Sequence, residues 1–309
     1  MFADCIDYIV KCLESVNWGN IMANDLVDQY VLKISCPAAS GIVAAVSNCL
    51  AGNNCYISEM AQYDDEITGR FFSRIVFRFN EGQGDLALLK EKFADVTMKF
   101  AMKADFYEKK NPMKVLIMVS KFDHCLLNLL YRHHKGELDF HITAIVSNHL
   151  DLRAIAEREG IRFIYLPVTK ETKQQQEQEL LKIVDETKTE LVILARYMQI
   201  LSNSLCTQLS GRAINIHHSF LPGFKGARPY HQAFERGVKL IGATAHFVTS
   251  DLDEGPIIEQ EVQRVDHAYM PNDLVSVGRD TETVALSKAV KYFVEHRVFM
   301  NDDRTVVFK

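Results

Sequence analysis

The larger, C-terminal part of the chain alternates short, almost wholly apolar segments with amphipathic ones. The apolar segments are KVLIMVS at 114–120, HITAIVS at 141–147, RFIYLPV at 162–168 and ELVILA at 190–195. A strand that is apolar along its whole length is typical of a parallel sheet whose two faces are both covered by helices. The alternation therefore predicts an α/β fold for residues 114–309, with a Rossmann-like, doubly wound, mainly parallel sheet.

Between and after these strands, apolar residues recur at helical spacing. The pattern predicts helices at 123–134, 152–159, 171–187 and 273–296, and further strands at 212–218, 243–249 and 257–265. The first βα turn of the sheet, SKFDHC, has no GxGxxG sequence, and the chain contains no P-loop. A dinucleotide or nucleotide site of these types is therefore not expected.

A smaller domain is predicted before this sheet, over residues 29–109. Its elements are strands at 30–35, 55–63, 70–79 and 104–109 and helices at 42–52 and 85–103. The order βαββαβ is typical of a ferredoxin-like α+β domain. Residues 1–28 form an N-terminal extension, and the segment at 110–113 is predicted to link the two domains. All 11 histidines lie at or after position 124, which supports this division.

Composition and local patterns disfavour several classes of protein. The net charge is −5 at pH 7, whereas nucleic-acid-binding domains are usually basic. No apolar run approaches the roughly 18 residues that a membrane-spanning helix needs. The N-terminal segment lacks the basic region of a signal peptide, and the 7 cysteines form no CxxC pair, which is typical of reduced thiols. We therefore expect a cytoplasmic protein that binds neither nucleic acid nor a membrane.

Chemically useful side chains cluster in NIHHSFLPGFKGARPYH at 215–231. Asn215 and His217 lie two residues apart on a predicted strand and therefore point to the same face of the sheet. This pair suits acyl chemistry, because the amide can stabilise an oxyanion and the imidazole can move a proton. Two other interpretations stay open: polar groups that only bond the loop backbone, or a metal site. The histidines available to a metal are His217, His218, His231 and His246, although their spacing matches no zinc motif.

Two more segments follow predicted strands, where open α/β sheets bind their ligands. SDLDEGPII at 250–258 places Asp251 and Asp253 in a turn, from which a carboxylate could reach His217 and hold its ring. LARYMQILS at 194–202 offers an apolar loop that could form a wall for a flat aromatic ligand. Turn chemistry and ordinary core packing are the alternative explanations for these residues.

Together these motifs resemble the family of formyltetrahydrofolate-dependent hydrolases and transferases. The family signature of N-I-H, L-P, H-x-V and D-x-G is found at 215–217, 221–222, 246–248 and 253–255. Within the family the deformylase subfamily is the most similar, through LARYMQILS, NIHHSFLPGFKGARPYHQA, GVKLIGATAHFVTSDLDEGPIIEQ and the terminal RTVVF. The resemblance extends over residues 29–308, and its N-terminal part is similar to an ACT domain.

The resemblance implies a formyltransferase fold and the hydrolysis of 10-formyltetrahydrofolate to formate and tetrahydrofolate. Such a reaction balances one-carbon folate pools and supplies formate for purine synthesis. The resemblance assigns catalysis to Asn215, His217 and Asp253. It assigns substrate binding to Tyr197, Met198, Gln199, Leu201, His246, Val248 and Asp251. It also implies no metal, no cofactor besides the folate substrate, a homo-oligomer, and an amino-acid effector at the ACT domain.

Other functions stay open at this point. The same three catalytic residues could transfer the formyl group to an amine acceptor, which would make the protein a formyltransferase. A non-catalytic amino-acid or folate sensor and a metallohydrolase are the remaining alternatives. Lys225 and Arg228 are two loop cations that would either steer the substrate or simply lie in solvent.

The chain departs from the subfamily in the loop after its first predicted strand. The subfamily reads C-P-D-R-P-G there, whereas this chain has CPAASG at 36–41. The missing Asp would cap the following helix, a contribution of about 1 kcal/mol. The change also removes charges near the position where ACT domains bind amino acids, so regulation through that position stays an open question.

Overall fold

The computed structural model describes residues 28–80, 84–219, 221 and 229–309. These residues form two compact units, and the chain passes from one to the other between Asn111 and Pro112. The predicted N-terminal extension, except for its last residue, lies outside the described residues. Pro222 and the candidate cations Lys225 and Arg228 also lie outside them.

The N-terminal unit is built on an antiparallel sheet of four strands. Its elements are β1 (Gln29–Pro37), α1 (Ile42–Gly52), β2 (Cys55–Asp65), β3 (Arg70–Phe79), α2 (Leu86–Lys99) and β4 (Lys103–Glu108). The strand order is β2-β3-β1-β4, and the pairs on either side of β1 and between β2 and β3 are antiparallel. This is the ferredoxin-like α+β arrangement that the sequence predicts.

The two helices of this unit begin differently. α2 follows Asp85, whose carboxylate accepts a hydrogen bond of 2.8 Å from the backbone N–H of Ala87. α1 follows Gly41, which has a φ of 87° and provides no side-chain cap. The subfamily's Asp would lie at position 38, three residues before this N-cap, so the expectation that it caps the helix is wrong. α1 is instead held by packing, with Val46 and Leu50 buried in the core.

The C-terminal unit is built on a sheet of seven strands. They are β5 (Met113–Val119), β6 (Phe140–Ser147), β7 (Phe163–Tyr165), β8 (Leu191–Leu194), β9 (Ala213–His217), β10 (Leu240–Phe247) and β11 (Ile257–Arg264). In the order β11-β10-β9-β8-β5-β6-β7, the pairs from β9 to β7 are parallel. β10 runs antiparallel to both β9 and β11. The predicted mainly parallel sheet is confirmed, with an antiparallel edge.

Helices cover both faces of this sheet. One face carries α3 (His124–His134), α4 (Arg153–Arg158) and α8 (Pro271–Val294), which pack on apolar side chains such as Ile214 and Ile216. The other face carries α5 (Lys173–Glu186) and α6 (Asn203–Gln208), which pack near Leu194 and Tyr197. We refer to these as the α8 face and the α5 face.

Several short elements are not predicted by the sequence analysis. They are α6, α7 (Pro229–Glu235), and the antiparallel pair of β12 (Val298–Asn301) and β13 (Arg304–Val307). None exceeds 7 residues, and such short elements show too little of a helical or alternating pattern to be recognised. β7 has only 3 residues, fewer than the predicted 162–168, and the segment ends near Pro167, which cannot donate to a sheet ladder.

α8 is the longest helix of the described residues, with 24 residues. It contacts β9, β10, β11, α3 and α7. Asp273, Asp280, Glu282 and Lys288 are among its charged residues. In the described part of the chain, no helix is both long enough and apolar enough to cross a membrane.

Candidate active site

A cleft of about 650 Å³ opens beside the carboxyl ends of β8 and β9, and residues from both faces of the seven-stranded sheet line it. Such a crevice is the usual ligand site of an open α/β sheet. All of the residues that the sequence analysis assigns to catalysis or substrate binding line this cleft. They are Asn215, His217, Asp253, Tyr197, Met198, Gln199, Leu201, His246, Val248 and Asp251.

Asn215 and His217 take alternate positions on β9. Ile214 and Ile216 belong to the core of the α8 face, so strand alternation directs Asn215 and His217 to the opposite side. The ring of His217 is buried, and its Nδ1 lies 3.2 Å from Oδ2 of Asp253. A carboxylate only accepts, so Nδ1 carries the hydrogen of this bond. Nε2 of His217 is buried and has no hydrogen-bond partner among the described residues.

Asp253 does not reach His217 by the route that parallel strands would provide. β10 is antiparallel to β9, and the backbone N–H of Val248, just after β10, donates to Ala213 at the start of β9. The loop that follows must therefore return along β9 to bring Asp253 to His217 at its end. Gly255 helps to close this loop, because a Cβ there would collide with the carbonyl oxygen of Phe247.

Asp253 is held as an anion. Burial alone would raise the pKa of its carboxyl group, but the hydrogen bond from His217 outweighs burial and holds that pKa well below the usual range. The backbone of Asp253 is left-handed, with a φ of 58°, which is uncommon for a residue other than glycine. The structure therefore maintains both an unusual backbone and a fixed charge at this position.

His246 orients Asn215 from the neighbouring strand. The two residues are directly paired between β9 and β10, and Nδ2 of Asn215 lies 3.3 Å from Nε2 of His246. Nδ1 of His246 lies 2.8 Å from the carbonyl oxygen of Phe247, so Nδ1 carries the hydrogen and the neutral ring accepts at Nε2. One amide hydrogen of Asn215 is bound in this way, and the second remains for a ligand. His246 is only 2% exposed, so it acts mainly behind Asn215.

An apolar wall forms the α5 side of the cleft. Tyr197 is buried, and its hydroxyl accepts a hydrogen bond of 3.2 Å from Gln176 of α5. Burial raises the pKa of Tyr197 to about 12, so it stays a neutral phenol. The backbone N–H of Met198 donates to Ser120 Oγ at 3.0 Å, which fixes the start of the wall. The side chains of Met198 and Ile200 are 48% and 61% exposed and offer apolar surface to a ligand.

Polar residues that the sequence analysis missed line the α8 side of the same cleft. Nη1 of Arg196 lies 2.7 Å from Nδ1 of His218, and Nε of Arg196 lies 3.3 Å from Oε2 of Glu282. Glu282 also accepts from His124 at 2.7 Å and from the hydroxyl of Tyr230 at 2.9 Å. Glu282 lies in the middle of a helix, where nothing in the sequence distinguishes it from a solvent-exposed glutamate. Arg196 lies within LARYMQILS, just after β8, a segment that the sequence analysis singled out only as an apolar wall.

One cluster in the described part of the chain has the spacing of a metal site. It consists of His124, Cys125 and Glu282, whose candidate ligand atoms lie within 4.8 Å of one another. Its chemistry suits a cation poorly, because Arg196 already brings a positive charge to within 3.3 Å of Glu282. Burial also raises the pKa of the Cys125 thiol, which disfavours the thiolate form that binds metals.

Comparisons with known proteins agree on one family. Residues 113–290 match the family model described as formyl transferase. A formyltetrahydrofolate deformylase of Corynebacterium sp. (strain P-1) is 51% identical over 281 residues, which cover 91% of this chain and 98% of that protein. The solved structure of a formyltetrahydrofolate deformylase from Burkholderia mallei ATCC 23344 has a TM-score of 0.88 at 53% identity. It covers 91% of this chain and 100% of its own.

A more distant solved structure comes from a different enzyme. Glycinamide ribonucleotide transformylase 1 from Symbiobacterium toebii has a TM-score of 0.61 at 26% identity, covering 66% of this chain and 97% of its own. The similarity to this transferase is therefore partial in extent and low in identity, whereas the similarity to the deformylases extends over most of the chain.

Proposed function

This chain belongs to the formyltetrahydrofolate deformylase family, and we propose that it hydrolyses 10-formyltetrahydrofolate to formate and tetrahydrofolate at Asn215, His217 and Asp253. The observation that carries the proposal is the hydrogen-bonded pair of His217 and Asp253 beside Asn215, within one cleft of about 650 Å³. The enzyme is thus a hydrolase that acts on the carbon–nitrogen bond of a linear amide.

The reaction adds water to the formyl carbon and then breaks the bond from that carbon to N10. A tetrahedral intermediate lies between these two steps, and its oxygen carries negative charge. One proton of the water reaches N10 as the carbon–nitrogen bond breaks, and the other is released when the formic acid ionises, so the products are tetrahydrofolate, formate and a proton. The residues must therefore stabilise the oxyanion, orient the water and manage one proton.

Asn215 and His217 supply the donors for the oxyanion. The amide hydrogen of Asn215 that His246 does not accept is one donor, and Nε2 of a protonated His217 is the other. The adjacent carboxylate of Asp253 stabilises a positively charged imidazole. Donors that are fixed before the reaction contribute most to such catalysis, because they need no reorganisation as charge develops.

Asp253 orients the attacking water and balances the charge on His217. Its pKa is held well below the usual range, so it is ionised throughout the working pH range. Such a carboxylate accepts hydrogen bonds strongly but is a weak base. Asp253 therefore polarises the water and holds the His217 ring, and the proton of the water moves on to the leaving nitrogen.

The apolar wall on the α5 face binds the folate. Met198 and Ile200 are exposed beside the catalytic residues, and Val248 lines the same side. Flat heteroaromatic ligands gain affinity by burying their faces against such surfaces. Gln199 and Asp251 are exposed at the rim, where polar groups of the substrate can reach them. We propose no metal and no cofactor besides the folate itself, since the chemistry described needs neither.

The N-terminal unit is proposed to be regulatory and ACT-like. Its ferredoxin-like topology supports this assignment, and β2 and β4, the edge strands of its sheet, are the strands at which pairing in a homo-oligomer would occur. An amino acid would be its effector, and the cytoplasm would be its location. Sedimentation of the full chain with and without individual amino acids tests both the oligomer and the effector.

The decisive experiment measures formate release from 10-formyltetrahydrofolate by the full chain without any amine acceptor. Wild type should release formate, and Asp253→Ala should lower kcat by about 10²–10⁴. Glu254→Ala is the matched control, because Glu254 is the neighbouring exposed carboxylate and does not line the cleft. Turnover that appears only after an amine is added would replace hydrolysis by formyl transfer, an alternative that the comparisons do not favour.

A further inference from the structure

The buried network on the α8 face is not used by the proposed reaction. Its centre is Glu282, which is 1% exposed in the middle of α8. Three groups converge on this carboxylate: Nε2 of His124 at 2.7 Å, the hydroxyl of Tyr230 at 2.9 Å and Nε of Arg196 at 3.3 Å. Burying a carboxylate is costly unless its partners compensate, so a network of this kind calls for an explanation.

Glu282 is the anchor of the network. Burial would raise the pKa of its carboxyl group, but the hydrogen bond from His124 and the charge of Arg196 outweigh burial and lower that pKa. Glu282 is therefore ionised and fixes the guanidinium of Arg196 by charge. The ring of Phe122 lies 5.0 Å from the guanidinium carbon and supports it from another side.

The backbone of Arg196 has an unfavourable conformation that directs its side chain to its partners. Its φ is 63°, a left-handed value that is rare for a residue with a long side chain. From this position Nη1 lies 2.7 Å from Nδ1 of His218. A guanidinium only donates, so Nδ1 of His218 must present its lone pair. His218 is thereby held as a neutral imidazole whose single hydrogen is on Nε2.

His218 stacks directly on the catalytic histidine. The ring centroids of His217 and His218 are 4.9 Å apart, and the rings are inclined by 21°. Two imidazolium rings at that separation would repel each other, and at the effective dielectric of a protein interior the second proton is disfavoured by roughly 100-fold. A proton on His218 would thus compete with the proton that His217 uses to stabilise the oxyanion.

We propose that Arg196, anchored by Glu282, is a positioning residue that keeps His218 neutral and thereby confines the positive charge of the stacked histidine pair to His217. The proposal rests on the proposed function, since it explains how His217 remains available as a cationic donor. It also explains why a strained arginine and a buried glutamate are maintained at the edge of the cleft.

Among the described residues, the groups that contact His218 come from several elements. Arg196 contacts it from the loop after β8, and the ring of Tyr230 on α7 lies 6.5 Å from its centroid. Burial and the neighbouring Glu282 raise the pKa of Tyr230, so it remains a neutral phenol. The other titratable groups of this region are His217 with Asp253 on one side, and Glu282 with His124 behind Arg196.

The first test detects the tautomer directly. Histidine ring nitrogens in 15N-histidine-labelled full chain are followed by NMR, and the His218 signals are assigned by their loss in His218→Gln. Nδ1 of His218 should stay unprotonated and Nε2 protonated from about pH 8 down to about pH 6, below the usual imidazole pKa of about 6.5. A doubly protonated ring, or a hydrogen on Nδ1, overturns the proposal. This test is independent of the reaction that the enzyme catalyses.

The second test uses the pH dependence of formate release. Arg196→Met removes the donor, so His218 can take up a proton at low pH. Its kcat relative to wild type should therefore fall by about 10-fold more near pH 6 than near pH 8. Arg196→Lys keeps a cationic donor and should keep the wild-type profile.

A double variant separates this role from a purely structural one. His218→Gln cannot titrate, so Arg196→Met/His218→Gln should show no more acid-side loss than His218→Gln alone. If Arg196→Met only damaged the structure, its kcat would fall equally at both pH values, and the double variant would show the same additional loss relative to His218→Gln. Either of those outcomes overturns the proposal, whereas suppression of the acid-side loss supports it.

Discussion

The two sides of the cleft are built in opposite ways, although they meet at the same strand ends. On the α5 face the wall is apolar, with Tyr197 hydrogen-bonded to Gln176 behind it. On the α8 face Arg196 and Glu282 form a charged network. The division falls between consecutive residues, since Arg196 belongs to one side and Tyr197 to the other.

The same division occurs between His217 and His218. His217 contacts Asp253, whereas His218 contacts Arg196. β9 ends at His217, so strand alternation does not separate these two residues: their rings stack, and their polar partners come from different sides of the cleft. The comparison teaches that two dipeptides at the strand ends are enough to divide an apolar wall from a charged network.

The largest effect is expected from breaking the charged side. Glu282→Ala should lower the free energy of unfolding by about 3–5 kcal/mol, because Arg196 is left buried without its carboxylate. Asp280→Ala on the exposed side of α8 is the control and should change stability by less than about 0.5 kcal/mol. Denaturant unfolding of both variants checks this, and equal small losses would contradict a tightly coupled network.

A smaller effect is expected at the junction of the two sides. Asp253→Asn removes the charge, and asparagine tolerates the left-handed backbone. The pKa of Asp253 is lower in the folded than in the unfolded chain, so its stabilisation is fully present above the unfolded pKa of about 3.9 and is lost progressively as pH falls from there through the folded pKa. We expect the variant to be less stable by about 1–3 kcal/mol near neutral pH. The difference in denaturant midpoints should be clearly smaller at pH 3 than at pH 7, because it shrinks as pH falls from the unfolded pKa toward the lower folded pKa, and a constant difference would contradict the ion pair.

Gly278→Ala tests how closely the α8 side is packed. A Cβ at this position would overlap the ring of Tyr230, which is hydrogen-bonded to Glu282. Although alanine favours a helix over glycine by about 1 kcal/mol, we expect overpacking to win and to destabilise the unit by about 1–3 kcal/mol. Thermal unfolding beside Ser276→Ala, an exposed position of the same helix, isolates the clash, and a stabilised Gly278→Ala would disprove it.

The smallest effect is expected from the apolar side. Tyr197→Phe loses only the hydrogen bond to Gln176, which should cost about 0.5–1.5 kcal/mol of stability. KM for the folate should hardly change, because the hydroxyl points to α5 rather than to the substrate. Tyr131→Phe at an exposed position is the matched control. A large rise in KM for Tyr197→Phe would contradict this and show that the hydroxyl contributes to substrate binding.

The sequence predicted the apolar side and the catalytic strand better than the charged side. Helix 42–52 and strand 70–79 match the structure at both ends, because they are long and strongly patterned. The ten assigned site residues all line one cleft, since each follows or lies on a strand of the sheet. The hydrogen bonds from Arg196 to His218 and from Tyr230 to Glu282 join residues far apart in the sequence, and no local pattern encodes such pairs.

The antiparallel direction of β10 at the edge of the sheet could not be predicted from local sequence patterns either. Strand 243–249 was predicted, yet its direction relative to β9 depends on the intervening chain and not on its own residues. The position of the 250–258 segment after a predicted strand nevertheless suggested that a carboxylate there reaches His217, and the family motif selected Asp253. Its left-handed backbone, which completes that contact, likewise has no signature in the sequence.

The position of Glu282 late in the chain has a consequence for protein synthesis. Arg196 leaves the ribosome before α8, as do Asn215 and His217. Its ion pair with Glu282 therefore cannot form until the last part of the chain is made. At about 5–20 residues per second, this delay is on the order of 10 s. A nascent or truncated chain that lacks α8 would keep Arg196 without its carboxylate, beside apolar strands that this helix normally covers.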